Sequence, residues 1–267
     1  MLRKRFYPYY SVCCEQGDRR DENQDRVFSR TGTIKSHSVG LFFVADGCGG
    51  LTHGGRISQF IVDCFDRIWE QELPETIELT DGAVEPLMDA ITCWLKKINA
   101  VAFDFSRLAN SRVGSTLSLL LTIDRDFGIL NVGDSRVYLY RSGKCRQLTE
   151  DQSFIADMLR NGEISEEDAA CYPRRNGLTM CVGGFEHLQI YKKAEKLRKN
   201  DVFLLCSDGL YNALGHQQLL EQEPGSISED SACMLRNMIP PGAAKDNVSA
   251  VLVEVCGKRE ENPCWNA

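Results

Sequence analysis

Five aspartates stand where an apolar run of this sequence meets a polar or glycine-rich segment. Asp46 follows the apolar run 41–45 and is itself followed by three glycines within four positions. A strand that ends in this way leaves a carboxylate at the edge of a sheet with open backbone beside it. An ion or a phosphate is the guest that such backbone suits best. The other four aspartates in comparable positions are Asp25, Asp134, Asp208 and Asp246.

Two interpretations of these aspartates remain open at this point. Taken singly, each is better explained as a turn residue, and Asp46-Gly47 is typical of a hairpin turn. Taken together, they favour a site for Mg²⁺ or Mn²⁺, because these hard cations prefer carboxylate, carbonyl and water oxygens. The chain has four histidines, none at zinc-ligand spacing, so an oxygen-ligated site is favoured over a zinc site.

Composition narrows the class of protein. The 267 residues are 43% hydrophobic and 26% charged, as expected for a soluble globular protein with a sizeable core. The net charge of −7 argues against non-specific nucleic-acid binding, and a phosphorylated substrate would need bound cations. No apolar run approaches the roughly 18 residues of a membrane span, and residues 1–10 lack a secretory apolar region. We therefore expect no membrane insertion and a cytoplasmic location.

The twelve cysteines show no informative spacing. There is no Cys-x-x-Cys pair, and the only close neighbours are Cys13 and Cys14. We expect free thiols in a reducing cytosol rather than a disulfide framework. Cys48, next to Gly47, is interpreted as a space-filling residue rather than a ligand or a redox switch.

Hydrophobic periodicity predicts the elements that must position these acids. Apolar residues at helical spacing indicate a helix over 57–69 and a second over 84–105, the latter after a cap signal at Thr80-Asp81. Short apolar runs between 115 and 148 indicate an antiparallel meander, and 151–172 is predicted to be a polar helical insertion. Short helices are predicted over 211–223 and 228–238. Further strands are predicted over 7–14, 27–34, 39–45, 178–182, 187–191, 202–206 and 248–255. Without a repeat or a linker, the chain is predicted to be one α+β domain, 1–267.

Eight short motifs occur in a recognisable order. They are Arg20-Asp21-Glu22-Asn23-Gln24-Asp25, Val44-Ala45-Asp46-Gly47-Cys48-Gly49-Gly50, Gly114-Ser115-Thr116, Asn131-Val132-Gly133-Asp134-Ser135-Arg136, Leu148-Thr149-Glu150-Asp151, Leu178-Thr179, Cys206-Ser207-Asp208-Gly209-Leu210 and Asp246-Asn247-Val248-Ser249. With them the sequence resembles the metal-dependent protein phosphatases (PPM family, type 2C serine/threonine phosphatases), particularly the compact bacterial ones. The resemblance implies a central sandwich of two antiparallel β-sheets flanked by pairs of helices, with a flap over about 152–177.

The resemblance also implies a set of roles. Asp46 would bridge two Mg²⁺ or Mn²⁺ ions, the Gly47 carbonyl would ligate one of them, and Asp208 and Asp246 would complete the other. Asp25 would hold a metal-bound water or lie behind the ligands. Asp134 would join Asp208 in a third, weaker site. Arg20 would grip the phosphate oxygens, and it and Asp46 are the residues implied to be catalytic.

The implied activity is hydrolysis of phosphoserine and phosphothreonine by a hydroxide that bridges the two ions. The implied partners are phosphorylated proteins and a cognate serine/threonine kinase, with the chain as a monomer. A pseudophosphatase used as a binding module and a hydrolase of small phosphoesters stay open as alternatives. Pseudophosphatases usually lose a metal acid, whereas this chain keeps the acids named above.

Some positions depart from the family pattern or allow a simpler interpretation. Cys48 stands where other members have His or Met, and Gln152 where the family often has His. These departures bear on flap position and substrate preference more than on hydrolysis. Arg20 could be a solvated loop charge, and Asp134 could cap its turn and pair with Arg136.

Overall fold

The computed structural model describes residues 5–49, 54–109, 113–172, 177–221 and 225–257, and in this part of the chain antiparallel strands form two sheets. The first sheet has the strand order β1-β11-β10-β7-β8. Its strands are β1 Tyr7–Glu15, β7 Arg136–Arg141, β8 Lys144–Gln147, β10 Val202–Cys206 and β11 Val248–Cys256.

The second sheet has the order β2-β3-β5-β6-β9, and a short strand, β4, pairs with the end of β3. Its strands are β2 Asp25–Ile34, β3 His37–Cys48, β4 Gly114–Ser115, β5 Leu117–Ile123, β6 Asp126–Val132 and β9 Tyr191–Lys196.

The two sheets pack face to face because their central strands are apolar on both sides. Phe42 of β3 points into the layer between the sheets, where Phe127 and Phe203 meet edge to face with ring centroids 4.9 Å apart. Phe43, the next residue, points the other way, into a second layer beneath the helices. This alternation explains why β3 reads as an unbroken apolar run rather than as alternating polar and apolar residues.

Helices cover both outer faces of the sandwich. The second sheet is covered by α1 Gly54–Arg67, α2 Leu73–Thr80 and α3 Val84–Leu108, with a π-helical turn, Ile68–Glu72, between the first two. The first sheet is covered by α6 Asp208–Leu214, α7 His216–Glu221 and α8 Ser231–Asn237. Two short helices, α4 Phe154–Arg160 and α5 Glu166–Cys171, lie in the predicted insertion. The predicted α+β sandwich between helical layers is confirmed.

β3 is longer than predicted, and the difference matters for the site. We expected the strand to end at Ala45 and to turn at Asp46. Instead β3 runs on to Cys48, because Gly47 and Cys48 pair with Ser115 and Gly114 of β4. Asp46 is therefore held inside a hydrogen-bonded strand rather than on a turn.

Other local predictions were wrong. Thr80-Asp81 ends α2, with Asp81 in the left-handed conformation at φ 48°, and does not cap the helix that follows. The predicted meander is split, because β5 and β6 belong to one sheet and β7 and β8 to the other. Residues 178–182 form only isolated bridges, and the strand predicted over 187–191 is β9, which begins at Tyr191. Pro173, directly after the predicted insertion 151–172, lies outside the described residues.

Within the described ranges, no helix combines the length and the apolar character needed to cross a membrane.

Candidate active site

One cavity at an end of the sandwich brings four of the five predicted acids together. Asp46 comes from β3 of the second sheet, and Asp134 from the connection that crosses between the sheets. Asp208 is the first residue of α6, two residues after the end of β10, and Asp246 lies two residues before β11. Arg20 and Gly47 line the same cavity. Acids far apart in the chain thus meet where strands of both sheets end.

Asp25 does not line this cavity but lies behind it. It is the first residue of β2, pairs with Asp46 across the two strands, and is only 1% exposed. Its Oδ2 accepts a hydrogen bond of 2.8 Å from the Ser207 hydroxyl, while its Oδ1 is buried without a hydrogen-bond partner. Asp208 also has a buried, unpartnered Oδ1. Such oxygens are costly to bury unless a cation or a proton meets them.

Burial also changes the pKa values of the carboxyl groups in this cluster. Burial first, and neighbouring carboxylates next, raise the pKa of Asp25 to about 6 and that of Asp208 to about 7. The same two causes raise the pKa of Asp46 and of Asp134 well above the usual value for a carboxyl group. The cluster is therefore a place where negative charge is disfavoured unless positive charge accompanies it.

Backbone hydrogen bonds and close packing fix Asp46 and Gly47. The Asp46 N–H donates to the Thr116 hydroxyl at 3.0 Å, and the Thr116 N–H donates to the Asp46 carbonyl at 2.9 Å. A Cβ at Gly47 would lie 2.5 Å from the Gly54 carbonyl carbon and 2.8 Å from the Gln24 oxygen. Only glycine fits there, so the backbone next to Asp46 is closely packed where it lines the cavity.

Asp134 is positioned by two residues whose role the sequence motifs did not indicate. Gly133, with φ +97° and Thr116 packed against it, makes the turn before Asp134. The Gly133 N–H donates to Gln152 Oε1 at 2.8 Å, and the Tyr211 hydroxyl donates to the Asp134 carbonyl at 3.1 Å. For Tyr211 the sequence carries no signal, whereas Gln152 stands at a position where the family pattern varies.

The contacts of the Arg136 guanidinium are with residues other than Asp134. Its guanidinium forms a salt bridge of 2.6 Å with Asp151 and lies 3.7 Å from the centroid of the Tyr211 ring. The simpler interpretation, in which Asp134 caps its turn and pairs with Arg136, is therefore disfavoured, because the Arg136 guanidinium is already paired with Asp151.

Arg20 lies at the exposed mouth of the cavity and forms a salt bridge with Asp246. In the described ranges, no three acidic, cysteine or histidine side chains stand ready to ligate one ion as they are. The acids that line the cavity nevertheless fit a hard divalent ion, because their donors are oxygens and one of them, Asp208 Oδ1, is buried and unpartnered. Binding an ion at Asp246 would require Arg20 to release that carboxylate.

Comparison with known proteins decides the family. The profile of protein phosphatase 2C matches residues 18–253, which include all five acids and Arg20. The chain belongs to the protein phosphatase 2C family. The serine/threonine phosphatase stp of Listeria monocytogenes serotype 4b is 32% identical over 216 residues, covering 80% of this chain and 84% of that protein. The chain is thus a phosphoprotein phosphatase, as predicted.

Solved structures agree with the phosphatase fold. The serine/threonine phosphatase of S. agalactiae superimposes with a TM-score of 0.80 at 24% identity, covering 93% of this chain and 99% of that one. The catalytic domain of the phosphatase PstP, solved with two manganese ions, gives a TM-score of 0.76 at 25% identity, covering 94% and 99%. Phosphatases of this family depend on divalent metal ions. The individual ligand roles predicted for this phosphatase stay predictions.

Proposed function

We propose that this phosphatase hydrolyses phosphoserine and phosphothreonine in proteins, at the cavity of Asp46, with two divalent ions, Mn²⁺ or Mg²⁺. The observation that carries the proposal is the convergence of Asp46, Asp134, Asp208 and Asp246 on one cavity with Arg20 at its mouth. Carboxylates whose pKa values are raised by burial and by one another form a site that a divalent cation stabilises.

The residues divide the work by position. Asp46, the Gly47 carbonyl, Asp208 and Asp246 would hold the two ions, and Asp134 with Asp208 would offer a weaker third place. When bound, the ions would neutralise phosphate charge and lower the pKa of a water molecule enough for it to attack phosphorus near neutral pH. Asp25, buried behind Asp46, would orient that carboxylate or a water beside it.

Arg20 would bind the phosphate. The Arg20 side chain is 52% exposed, so its guanidinium is already in contact with solvent and can move from Asp246 to a phosphate. A planar guanidinium matches two phosphate oxygens at once, and it opposes the charge that develops on the equatorial oxygens. The residues lining the described cavity include no histidine, so the serine or threonine oxygen would take its proton from solvent.

The choice of substrate follows from the relatives. The Listeria protein is named a serine/threonine phosphatase, and this chain covers most of its length. We infer phosphorylated proteins, the products of a serine/threonine kinase, as substrates, and 1–267 as a single domain. A role as a pseudophosphatase is disfavoured because none of the five acids is replaced.

A metal titration tests the proposal. Protein stripped with a chelator should hydrolyse neither a phosphothreonine peptide nor p-nitrophenyl phosphate, and Mn²⁺ should restore both, with kcat/KM higher for the peptide. Asp208→Asn should lose turnover while keeping its fold, whereas Asp230→Asn, an exposed acid next to α8, should behave as wild type. Turnover that persists without metal, or in Asp208→Asn, would show that the ligand set is wrong.

A further inference from the structure

Two thiols far apart in the chain are in contact beside the active-site cavity, and one of them lines it. Cys48 is the last residue of β3, lines the cavity and lies two positions after Asp46. Cys181 follows the flap and is 7% exposed. The two side chains are hydrogen-bonded to each other, and both cysteines are free.

The backbone holds this contact in place. Cys48 pairs with Gly114 across β3 and β4, and the next residue, Ser115, exchanges hydrogen bonds of 2.9 and 2.8 Å with Val182. Gly114 therefore lies between the two cysteines. A Cβ at Gly114 would lie 2.6 Å from the Cys181 sulfur, so the missing side chain is what gives the two sulfurs room to meet.

The surroundings favour chemistry at this pair. The hydrogen bond from Cys48 lowers the pKa of the Cys181 thiol, and the Gly184 N–H lowers it further. The Cys48 side chain borders the cavity, so a small oxidant that enters the cavity can reach this thiol, and the Cys181 thiol lies beside it.

We propose that Cys48 and Cys181 form a site of reversible oxidation by hydroperoxides, in which a disulfide between them switches the enzyme off. This proposal replaces the interpretation of Cys48 as a space-filling residue, because the sequence alone did not show that Cys181 lies beside it. One thiol attacks the hydroperoxide, the O–O bond breaks, and a sulfenic acid forms as an alcohol, or water, leaves. The second thiol attacks that sulfur, the S–S bond forms and water leaves. Two thiols are oxidised and one hydroperoxide is reduced.

The disulfide would disturb the site because the surrounding chain has no slack. Two sulfurs in hydrogen-bond contact must approach to about 2 Å to bond. That movement pulls on the end of β3, where Gly47 is already packed against Gly54 and Gln24. The shift therefore reaches the Gly47 carbonyl and Asp46. The loss of turnover rests on the proposed function, whereas formation of the disulfide does not.

Peptide mapping tests the disulfide directly in the full chain. Reduced protein is treated with about one equivalent of hydrogen peroxide per chain, digested without reductant and analysed by mass spectrometry. We expect a cross-link between the Cys48 and Cys181 peptides, the loss of two titratable thiols, and the loss of most turnover of a phosphothreonine peptide. Dithiothreitol should reverse all three.

Variants separate this pair from the other cysteines. Cys181→Ala and Cys181→Ser should both be active before peroxide and resist reversible inactivation. Cys233→Ala is the matched control, because Cys233 is hydrogen-bonded to another thiol, Cys13, outside the cavity lining, and should stay sensitive. A cross-link between other cysteines, irreversible oxidation of Cys48 without a cross-link, or full turnover of the cross-linked protein would overturn the proposal. If the reduced protein hydrolyses no phosphoester, the proposed function fails, and the peptide map still decides the disulfide.

Discussion

Gln152 shows how one neutral side chain can aim an acid that it does not touch. Its Oε1 accepts from the Gly133 N–H at 2.8 Å, and its Nε2 donates to the Gln189 carbonyl at 2.8 Å. The side chain therefore ties the turn that carries Asp134 to the chain leading into β9. Because Gly133 already needs a left-handed backbone, losing this tie would let the turn relax and Asp134 move.

Gln152→Ala should weaken the binding of Mn²⁺ at Asp134 more than it weakens folding. A lost hydrogen bond costs about 1 kcal/mol of stability, so the change in Tm should be small. Calorimetric titration with Mn²⁺ measures the effect as a loss of the weakest binding event. Gln152→His, which restores a donor and an acceptor, should recover it. An unchanged titration in the alanine variant would mean that Gln152 does not position Asp134.

A substitution at Arg20 would test substrate binding separately from metal binding. Arg20→Ala should lower kcat/KM for a phosphothreonine peptide by roughly ten- to hundredfold, since a hydrogen bond to a charged group contributes about 1.5–3 kcal/mol. The Kd for Mn²⁺ should stay the same or fall, because Asp246 loses its guanidinium partner.

Arg19→Ala is the matched control for Arg20, because Arg19 is the adjacent arginine on the cavity wall, and its effect should be smaller. Weaker metal binding in Arg20→Ala with unchanged kinetics would contradict the assignment of Arg20 to phosphate.

At the scale of elements, the Arg136–Asp151 pair joins β7 to Asp151, at the root of the predicted flap. The Arg136 side chain is 17% and the Asp151 side chain 13% exposed, and Gln147 also donates to the Asp151 carboxylate, whereas Arg160 donates to the Asp151 backbone carbonyl. Removing one partner leaves a charge nearly buried and unpaired.

Asp151→Ala should therefore destabilise the protein by about 3 kcal/mol, whereas Asp104→Ala should cost less than ~1 kcal/mol. Asp104 forms a comparable pair with Arg107, but both of its side chains are mostly exposed. Urea denaturation of both variants and of Arg136→Met/Asp151→Leu measures the difference. Equal losses for Asp151→Ala and Asp104→Ala would mean that the flap root is not anchored by this pair.

The elements that could be predicted are those whose side chains alone decide them. An apolar run predicts β3, and apolar residues at helical spacing predict α1, because both elements bury side chains in the core. The end of β3 and the position of β9 could not be predicted in this way. Gly47 joins the strand through backbone pairing, and β9 is a sheet edge whose sequence is rich in lysine, as edges that avoid further pairing often are.

The site was predictable only in part for a related reason. The order of the motifs identified the acids, because each motif combines an acid with a fixed local backbone. A local sequence pattern does not show which distant segments of the chain come into contact. The hydrogen bond from Tyr211 to Asp134 and the contact between Cys48 and Cys181 are of this kind, and so is the salt bridge that Arg20 makes with Asp246.

At the scale of the molecule, the acidic cluster makes stability depend on pH. The folded-state pKa of about 6 for Asp25 and about 7 for Asp208 lies above the unfolded value near 4. The folded protein therefore binds protons more tightly than the unfolded chain. The stability from this source is fully present below about pH 4 and is lost as the pH rises through about 6 to 7.

Thermal denaturation in a chelator tests this dependence. Wild type should lose stability relative to Asp208→Asn between pH 5 and pH 8, and the variant should be the more stable protein at pH 8. Added Mn²⁺ should reverse the order, because only wild type keeps the full ligand set. If Tm changed with pH in the same way in both proteins, burial of the Asp208 charge would not be the cause of the loss of stability.

Asp46 belongs to one sheet, whereas Asp208 and Asp246 flank strands of the other. A cation shared among them would link the two sheets of the sandwich at the cavity that these acids line. The metal ion would then stabilise the contact between the two sheets in addition to its part in catalysis. Amide protons at the ends of β3, β10 and β11 should therefore exchange more slowly when the ion is bound, even without substrate.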